Sequence, residues 1–295
     1  MGTICCKETQ NEELNLLSPG ESEISFLSYS SSNDKMFEKV EKKYNLLKHI
    51  TLVNYINYLS YFSVETATQE QSSMPLRTEF SSKDDFLLDK MSHDEFQSFI
   101  ENKVLKHKEL YILAGEDEYL ENVFRDSMIE IVKQVELKLN QHFNTKNEER
   151  ITKRHLLILG MLFCTSTNIS KVKLFFDLFA NEQHILTNTE DLKEFILGMI
   201  VVSSYCMVAA LKKVGGTHPK IPELSREELK RGLEVSELKD CQQLMTLTVE
   251  EMFHEAKDGL DYTQFKALFQ RKTKSMGWIF NPKGIRKMLE THNID

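Results

Sequence analysis

The sequence predicts an all-α protein, and three observations support that fold class. Glycine and proline are scarce, with 11 and 5 residues among 295, whereas turn-rich sheet proteins use both heavily. No run with the alternating pattern of a strand extends beyond about three residues. The segment 119–143 carries apolar side chains at helical spacing, at Val123, Phe124, Met128, Ile131, Val132, Val135 and Leu139.

The predicted elements follow one another with few breaks. Residues 1–34 are rich in Ser and Glu and show no lasting period, which predicts a flexible tail. Gly215–Leu224, with two glycines and two prolines, is the clearest linker. Helices are expected over 36–62, where there are two, from Ser92, over 119–143, from Thr152 and from Ser170.

Composition and charge exclude several classes of protein. Apolar residues make up 41% and charged residues 28% of the chain, which is ordinary for a globular protein. The formal net charge of −8 makes nucleic acid a poor partner. The apolar run Phe195–Leu211 is shorter than the roughly 20 residues that a membrane-spanning helix needs, so we predict a deeply buried helix there.

The five cysteines and the motif content argue against a disulfide framework, a zinc site and a known catalytic site. Without a recognised secretory signal, an odd cysteine count indicates a reducing compartment. Cys164, Cys206 and Cys241 lie in apolar helical contexts and are expected in the core. The chain has no phosphate-binding, dinucleotide-binding, esterase or zinc-protease motif, and its nine histidines lack ligand spacing. We therefore expect no catalytic residue and no cofactor.

Four segments repeat the frame of a twelve-residue calcium-binding loop between two helices. Such a loop needs side-chain oxygens at positions 1, 3, 5 and 9, glycine at position 6 and a bidentate glutamate at position 12. Position 8 is apolar and pairs with the partner loop. The first frame, Asp84–Glu95, has Met91 at position 8. Asp84 and Glu95 are weak candidate ligands, because positions 3 and 5 are apolar.

A metal-free explanation of Glu95 stays open beside this one. Ser92 and Glu95 form the capping-box pattern S-x-x-E, which satisfies backbone N–H groups at a helix start without a metal. Thr248 and Glu251 repeat the pattern, which predicts that the helix entering the last frame begins there.

The second and fourth frames depart further from a calcium loop. Asn144–His155 has Ile151 at position 8, but a histidine replaces the glutamate at position 12. The last frame, Lys257–Gln264, has only eight residues, so four are missing, and a glutamine ends it. Neither frame supplies the oxygen ligands that calcium needs.

The third frame has two possible registers. Ala180–Asp191 places Glu182 at position 3, His184 at position 5 and Asp191 at position 12. A shift by one residue makes Leu186 position 8 and Glu190 position 12. Both registers lack the glycine at position 6.

The chain resembles the EF-hand proteins on these segments. The run ITKRHLLILGMLFCTSTNISKVKLFFDLFA, followed by LKEFI, is similar to the middle of calcineurin-B-like and neuronal-calcium-sensor-like proteins. VEEMFHEA and DGLDYTQF resemble the last hand of calmodulin-type proteins, and the general likeness is to calaxin-type proteins of cilia. The resemblance covers residues 50–275. It implies two paired EF-hand-like lobes, which we place at 35–165 and 166–275, with 276–295 as an extension.

The family would imply calcium binding, but every loop here breaks the ligand pattern. Packing, capping and a bound partner helix can hold such a helix pair open without metal. We therefore expect a non-enzymatic, calcium-independent adaptor or structural subunit that binds a protein partner, with a helix as the bound element. The resemblance to calaxin-type proteins implies a ciliary or axonemal setting. Two alternatives stay open: a calcium sensor with one atypical site at Asp84–Glu95, and an enzyme of unrecognised class.

The first residues, MGTICCK, fit a lipid-acceptor pattern. Gly2 follows Met1 as in N-myristoylated proteins, although Cys6 replaces the usual Ser or Thr. One myristoyl chain gives only marginal membrane binding, and Lys7 is the only basic residue nearby. Palmitoylation of Cys5 and Cys6 would supply the second signal. We expect a lipid anchor that holds the protein on the cytoplasmic side of a membrane or near the cytoskeleton.

The extension contains the only tryptophan of the chain. Trp278, Ile279 and Phe280 form an apolar group that would be unusual on a monomer surface. Two outcomes stay open, because this group either docks on the second lobe or anchors the partner, where tryptophan is favoured.

Overall fold

The structure is a computed structural model, and it describes residues 42–62, 90–107, 118–143, 151–217, 238–256, 258–271 and 275–292. The predicted tail 1–34, with the lipidation candidates Gly2, Cys5 and Cys6, lies outside the described residues. The candidate ligand Asp84 also lies outside them, as does most of the predicted linker.

The described residues are predominantly helical, which confirms the all-α fold class. The α-helices are α1 (Leu52–Phe62), α2 (His93–Phe99), α3 (Glu118–Phe143), α4 (Lys153–Phe163), α5 (Asn168–Phe179), α6 (Glu190–Val201), α7 (Met207–Thr217), α8 (Leu238–Phe253), α9 (Tyr262–Gln270) and α10 (Pro282–His292). A 3₁₀ turn precedes α1 (Leu46–His49), and another precedes α10 (Met276–Phe280). One π-helical turn extends α2 (Ile100–Val104), and a second joins α6 to α7 (Val202–Cys206).

Short extended segments bring several loops of the described residues together. β1 (Lys90–Met91) and β2 (Ile151–Thr152) form an antiparallel pair in which Met91 lies opposite Ile151. Leu186 and Leu260 form an antiparallel bridge with two backbone hydrogen bonds, of 2.8 and 2.9 Å. The loops before α2 and α4 therefore meet, and so do the loops before α6 and α9.

Helix α4 lies at the centre of the fold. All of its residues are buried, including the three polar ones at its start, Lys153, Arg154 and His155. Thr152 begins the helix, because its hydroxyl accepts a hydrogen bond from the His155 N–H. α4 packs against α1 and against α6.

The predicted buried helix at the long apolar run is confirmed. α6, the π-helical turn and α7 form one continuous helical segment, and the apolar residues from Phe195 to Val202 are at most 1% exposed. None of the helices in the described residues combines the length and apolar character that a membrane crossing requires. Cys164, Cys206 and Cys241 are buried free thiols, as expected.

One continuous core connects the two predicted lobes. The buried side chains from Tyr44 to Leu289 form a single cluster, and α3 packs along α7. The predicted boundary after residue 165 falls between α4 and α5, within this cluster. The division into two lobes stays a prediction.

The predicted helix start at Thr248 is wrong. α8 begins ten residues earlier, at Leu238, and Thr248 lies in its interior. The Thr248 hydroxyl is buried and donates to the Leu244 carbonyl, 2.6 Å away. A threonine within a helix satisfies its hydroxyl on the preceding turn, so the S/T-x-x-E pattern does not mark a start here.

Candidate functional site

Glu95, at position 12 of the first frame, is a helix cap. Its carboxylate accepts a hydrogen bond from the Ser92 N–H at 2.6 Å, and the Ser92 hydroxyl accepts one from the Glu95 N–H at 3.2 Å. The capping box predicted from the sequence is therefore present. Its companion candidate ligand, Asp84, lies outside the described residues.

His155, at position 12 of the second frame, is buried at the start of α4. Burial, and secondarily the neighbouring Arg154 charge, lower the pKa of His155 from 6.5 to about 4. Its Nδ1 has no hydrogen-bond partner within the described part of the chain. A neutral imidazole cannot supply the two oxygens that a position-12 glutamate gives to calcium.

The loop of the third frame is closed by its own backbone and one side chain. The Asn181 side-chain oxygen accepts hydrogen bonds from the N–H groups of Gln183 and Ile185, both at 3.0 Å. His184 takes the left-handed conformation, with φ of 57°. The predicted ligand positions Glu182 and His184 are exposed to solvent. The loop is therefore stabilised by an internal turn.

Asp191, the other predicted ligand of that loop, binds a cation of the protein. Arg154 donates to the Asp191 carboxylate at 2.7 Å and also pairs with Glu194. Arg154 is 6% exposed and lies at the start of α4, whereas both acids lie on α6. This ion pair connects the second frame with the helix that follows the third.

The fourth frame ends in a second capping box. The Asp261 carboxylate accepts from the Gln264 N–H at 2.8 Å, and the Gln264 amide oxygen accepts from the Asp261 N–H at 2.9 Å. The shortened loop turns at Gly259, whose φ of 123° favours glycine. A β-carbon there would lie 2.9 Å from the Leu186 carbonyl oxygen, so glycine also permits the Leu186–Leu260 contact.

The described residues hold no group of three His, Cys, Asp or Glu side chains that could bind a metal. The residues at position 12 of the four frames, with the third in its unshifted register, have other roles: Glu95 and Gln264 cap helices, Asp191 pairs with Arg154, and His155 is buried.

The apolar group of the extension packs on the rest of the protein. Ile279 and Phe280 are buried, and Trp278 is half-buried. The Phe280 ring stacks on Phe269 of α9 at 5.3 Å between centroids and meets the edge of Phe175 of α5 at 5.8 Å. These contacts place the 3₁₀ turn against α5 and α9.

Helix α10 then lies across α6, the π-helical turn and α8. Ile285 and Leu289 of α10 are buried in that contact. The buried Arg286 guanidinium donates to the Ser203 carbonyl in the π-helical turn at 3.3 Å, and its Nη1 lies 3.8 Å from Met207 Sδ. The extension therefore supplies both an apolar face and a cation to the central helical segment.

No protein-family model, curated protein or solved structure matches this chain.

Sequence reasoning missed the buried cations. Lys171 begins an apolar stripe that continues with Phe175 and Leu178, and Arg286 lies between the apolar positions Ile285 and Leu289. Apolar residues at i, i+3, i+4 and i+7 indicate the buried face of a helix, so this spacing could have shown that both charged residues lie on a buried face. The spacing does not indicate which groups Lys171 and Arg286 contact.

Proposed function

We propose that this chain is an EF-hand-like adaptor whose two pairs of helix–loop–helix units are held together without calcium. The observation that carries the proposal is the pairing of the loops. Met91 and Ile151, position 8 of the first and second frames, lie opposite each other. Leu186 is position 8 of the third frame in its shifted register, and Leu260 is position 8 of the fourth frame. These two residues exchange two backbone hydrogen bonds. Met91, Ile151 and, in the shifted register, Leu186 were placed at position 8 by sequence spacing, and Leu260 takes that position when the shortened fourth frame is counted back from Gln264 at position 12. These residues meet as two pairs.

Calcium independence is supported by what replaces the metal. Glu95 and Gln264, at position 12 of the first and fourth frames, satisfy helix N-termini. In the third frame, Glu190 is position 12 in the register that pairs Leu186 with Leu260. It binds Lys193 at 2.7 Å, and Arg154 neutralises the next residue, Asp191. Each of these contacts stabilises a loop–helix junction without a cation from solution.

A calcium titration tests this part of the proposal. We expect isothermal titration calorimetry to show no saturable heat in the sensor range, about 10⁻⁷–10⁻⁵ M. Glu95→Gln is the matched variant, because glutamine keeps the acceptor for the Ser92 N–H but loses the charge. A micromolar heat in the wild type that disappears in Glu95→Gln would instead support the sensor alternative.

Binding of a helix by the second half is supported by α10. This helix already lies on the face formed by α6, the π-helical turn and α8, so the face accepts an amphipathic helix. A partner helix at the same place would compete with α10. Because α10 and the Trp278 turn belong to the same chain, their contact has the advantage of a high effective concentration.

A release variant tests partner binding. Leu289→Glu places a charge in the α10 contact and should free the face, whereas Lys287→Glu changes an exposed residue of the same helix. In pull-downs from native material read by mass spectrometry, we expect one partner to be enriched by the wild type and more strongly by Leu289→Glu. Lys287→Glu should match the wild type. Equal or lower recovery with Leu289→Glu would contradict competition with α10, and no enrichment over empty beads would contradict the adaptor.

The proposal also includes a lipid anchor at Gly2, Cys5 and Cys6 and a ciliary or axonemal setting. The anchor has the acceptor pattern as its support. The setting has only the resemblance to calaxin-type proteins as its support.

A further inference from the structure

A cavity of about 290 Å³ lies where four elements meet. Asn45, before the first 3₁₀ turn, and the C-terminal end of α4 form one side. Asn168 and Lys171 of α5 and Asn281, before α10, contribute polar side chains to its lining. The cavity is separate from the four loop frames.

Lys171 has an unusual environment for a lysine. The residue is 7% exposed, and its ammonium donates one long hydrogen bond, 3.4 Å, to the Phe280 carbonyl. No Asp or Glu among the described residues forms an ion pair with it. An ammonium has three N–H donors, and a buried charge is costly unless it is paired. Burial lowers the pKa of Lys171, and the nearby Cys164 opposes this in part.

Two helix N-termini border the same cavity. α5 begins at Asn168 and α10 begins at Pro282, and both residues line the cavity. Each N-terminus carries a partial positive charge and favours an anion. Asn168 and Asn281 are exposed at its mouth, so the cavity is accessible from solvent.

Asn45 provides a further unsatisfied polar atom. Its amide nitrogen donates to the Phe163 carbonyl at 3.4 Å, and its side-chain oxygen is buried without a hydrogen-bond partner among the described residues. A half-turn of the amide would set its oxygen against the Phe163 carbonyl oxygen, so Asn45 presents an acceptor to the cavity, which a hydroxyl of a hydrogen phosphate can meet.

We propose that this cavity binds a small oxyanion, a carboxylate or a phosphate group, with Lys171 as its counter-ion. The bound anion would accept from the two N–H donors of Lys171 that have no partner among the described residues. It would also lie in the field of the two helix N-termini. The site needs no metal and no calcium-loop residue, so it is independent of the adaptor function.

The test uses the full chain in thermal melts at constant pH and ionic strength, with chloride replaced by inorganic phosphate or by acetate. At several times the dissociation constant, we expect an anion that binds to raise the melting temperature by about 2–4 °C. Lys171→Met should lose this increase. Lys173→Met is the matched control, because Lys173 is an exposed lysine on the same helix, and it should retain the increase. General salt effects should appear equally in all three proteins.

A labelling experiment on the wild type avoids dependence on the folding of Lys171→Met. Acylation by acetic anhydride at trace concentration, read by mass spectrometry, should slow at Lys171 when the anion is present and stay unchanged at Lys173. Protection by phosphate alone assigns a phosphate site, protection by acetate alone a carboxylate site, and protection by both a general oxyanion site. If neither anion protects Lys171, or if the melting temperatures of all three proteins respond equally, the proposal is wrong.

Discussion

The Tyr55 ring packs directly on the backbone of Gly160, where α1 crosses α4. A β-carbon at residue 160 would lie 2.6 Å from Tyr55 Cδ1 and 2.8 Å from Cε1. Tyr55 is fully buried and meets the edge of the Phe99 ring, 6.0 Å away between centroids. The ring therefore has no free space to move into, and the two helices approach this closely because residue 160 has no side chain.

Gly160→Ala should therefore destabilise the protein, although alanine is the better helix former. We expect steric overlap with Tyr55 to cost about 1–3 kcal/mol, which exceeds the roughly 1 kcal/mol that alanine gains in a helix. Urea unfolding measures the difference. Gly277→Ala is the control, because its nearest neighbour would be the Ser275 hydroxyl at 3.4 Å, an ordinary contact. Equal stability of the two variants would contradict the close packing.

Tyr55→Phe should leave stability unchanged or increase it by up to about 1 kcal/mol. The Tyr55 hydroxyl is buried, and it has no hydrogen-bond partner among the described residues. Burial raises the pKa of Tyr55 well above 10, so the group stays neutral. Removing an unsatisfied buried hydroxyl removes a desolvation penalty. Tyr58→Phe, at a half-buried position, is the control, and a loss above 1 kcal/mol only for Tyr55→Phe would indicate a missing partner.

Local signals in the sequence predicted several elements well. Ser92 and Thr152 cap α2 and α4 as expected, because an N-cap depends on a side chain and the backbone three residues further on. The segment TLVNYINYLSYF was expected to be helical, and it forms α1. The S/T-x-x-E pattern gave a wrong helix start at Thr248, because α8 begins at Leu238, where the sequence has no such pattern.

Long-range relationships were not predictable from one sequence. Arg154 and Glu194 are 40 residues apart in the chain, and nothing local indicates that they pair. The position of α10 on the central helical segment likewise depends on the whole core. The apolar spacing around Lys171 was readable, but the convergence of two helix N-termini near it was not.

Gly2→Ala should release the protein from membranes in cells, because it removes the acceptor for the first acyl chain. Cys5→Ser with Cys6→Ser should weaken membrane residence through loss of the second signal. Thr3→Ala, one residue away, is the control and should fractionate like the wild type. Membrane fractionation with a clickable myristate label measures both effects. A wild type that carries no myristate label would show that the first acyl chain is absent, and a wild type that does not fractionate with membranes would show that the anchor is absent.

Because His155 is buried, the free energy of unfolding should decrease as the pH falls from 6.5 to about 4. The pKa of His155 is about 4 in the folded protein and ordinary, near 6.5, in the unfolded chain. In this window the unfolded chain binds a proton that the folded protein excludes. The His155 contribution is therefore complete above pH 6.5 and is lost progressively down to pH 4, by at most about 3 kcal/mol.

Urea unfolding at several pH values measures this contribution. His155→Gln should flatten the dependence in that window relative to the wild type. His254→Gln, at an exposed histidine, should keep the wild-type slope. Identical slopes for all three proteins would show that His155 is protonated normally in the folded state.

Loss of the Glu194 charge should lower the free energy of unfolding more than loss of the Asp191 charge, although both carboxylates pair with Arg154. Both acids pair with the buried guanidinium, but the Asp191 side chain is 63% exposed and the Glu194 side chain 28%. We expect Glu194→Gln to lower the free energy of unfolding by about 1–3 kcal/mol and Asp191→Asn by less than about 1 kcal/mol. Asp177→Asn, which breaks the exposed pair with Lys173, should cost about 0.5 kcal/mol or less.

A double variant distinguishes the stability that the Arg154–Glu194 pair contributes from the cost of leaving the buried Arg154 charge without Glu194. Glu194→Met strands the buried Arg154 with only the exposed Asp191, so it should be the most destabilising single change of the set. Arg154→Met together with Glu194→Met removes both charges and should recover much of that loss, because the desolvation penalty of the guanidinium disappears as well. If the double variant is as unstable as the sum of the single changes, Arg154 and Glu194 are not coupled, and the contact between α4 and α6 is held by its apolar residues alone.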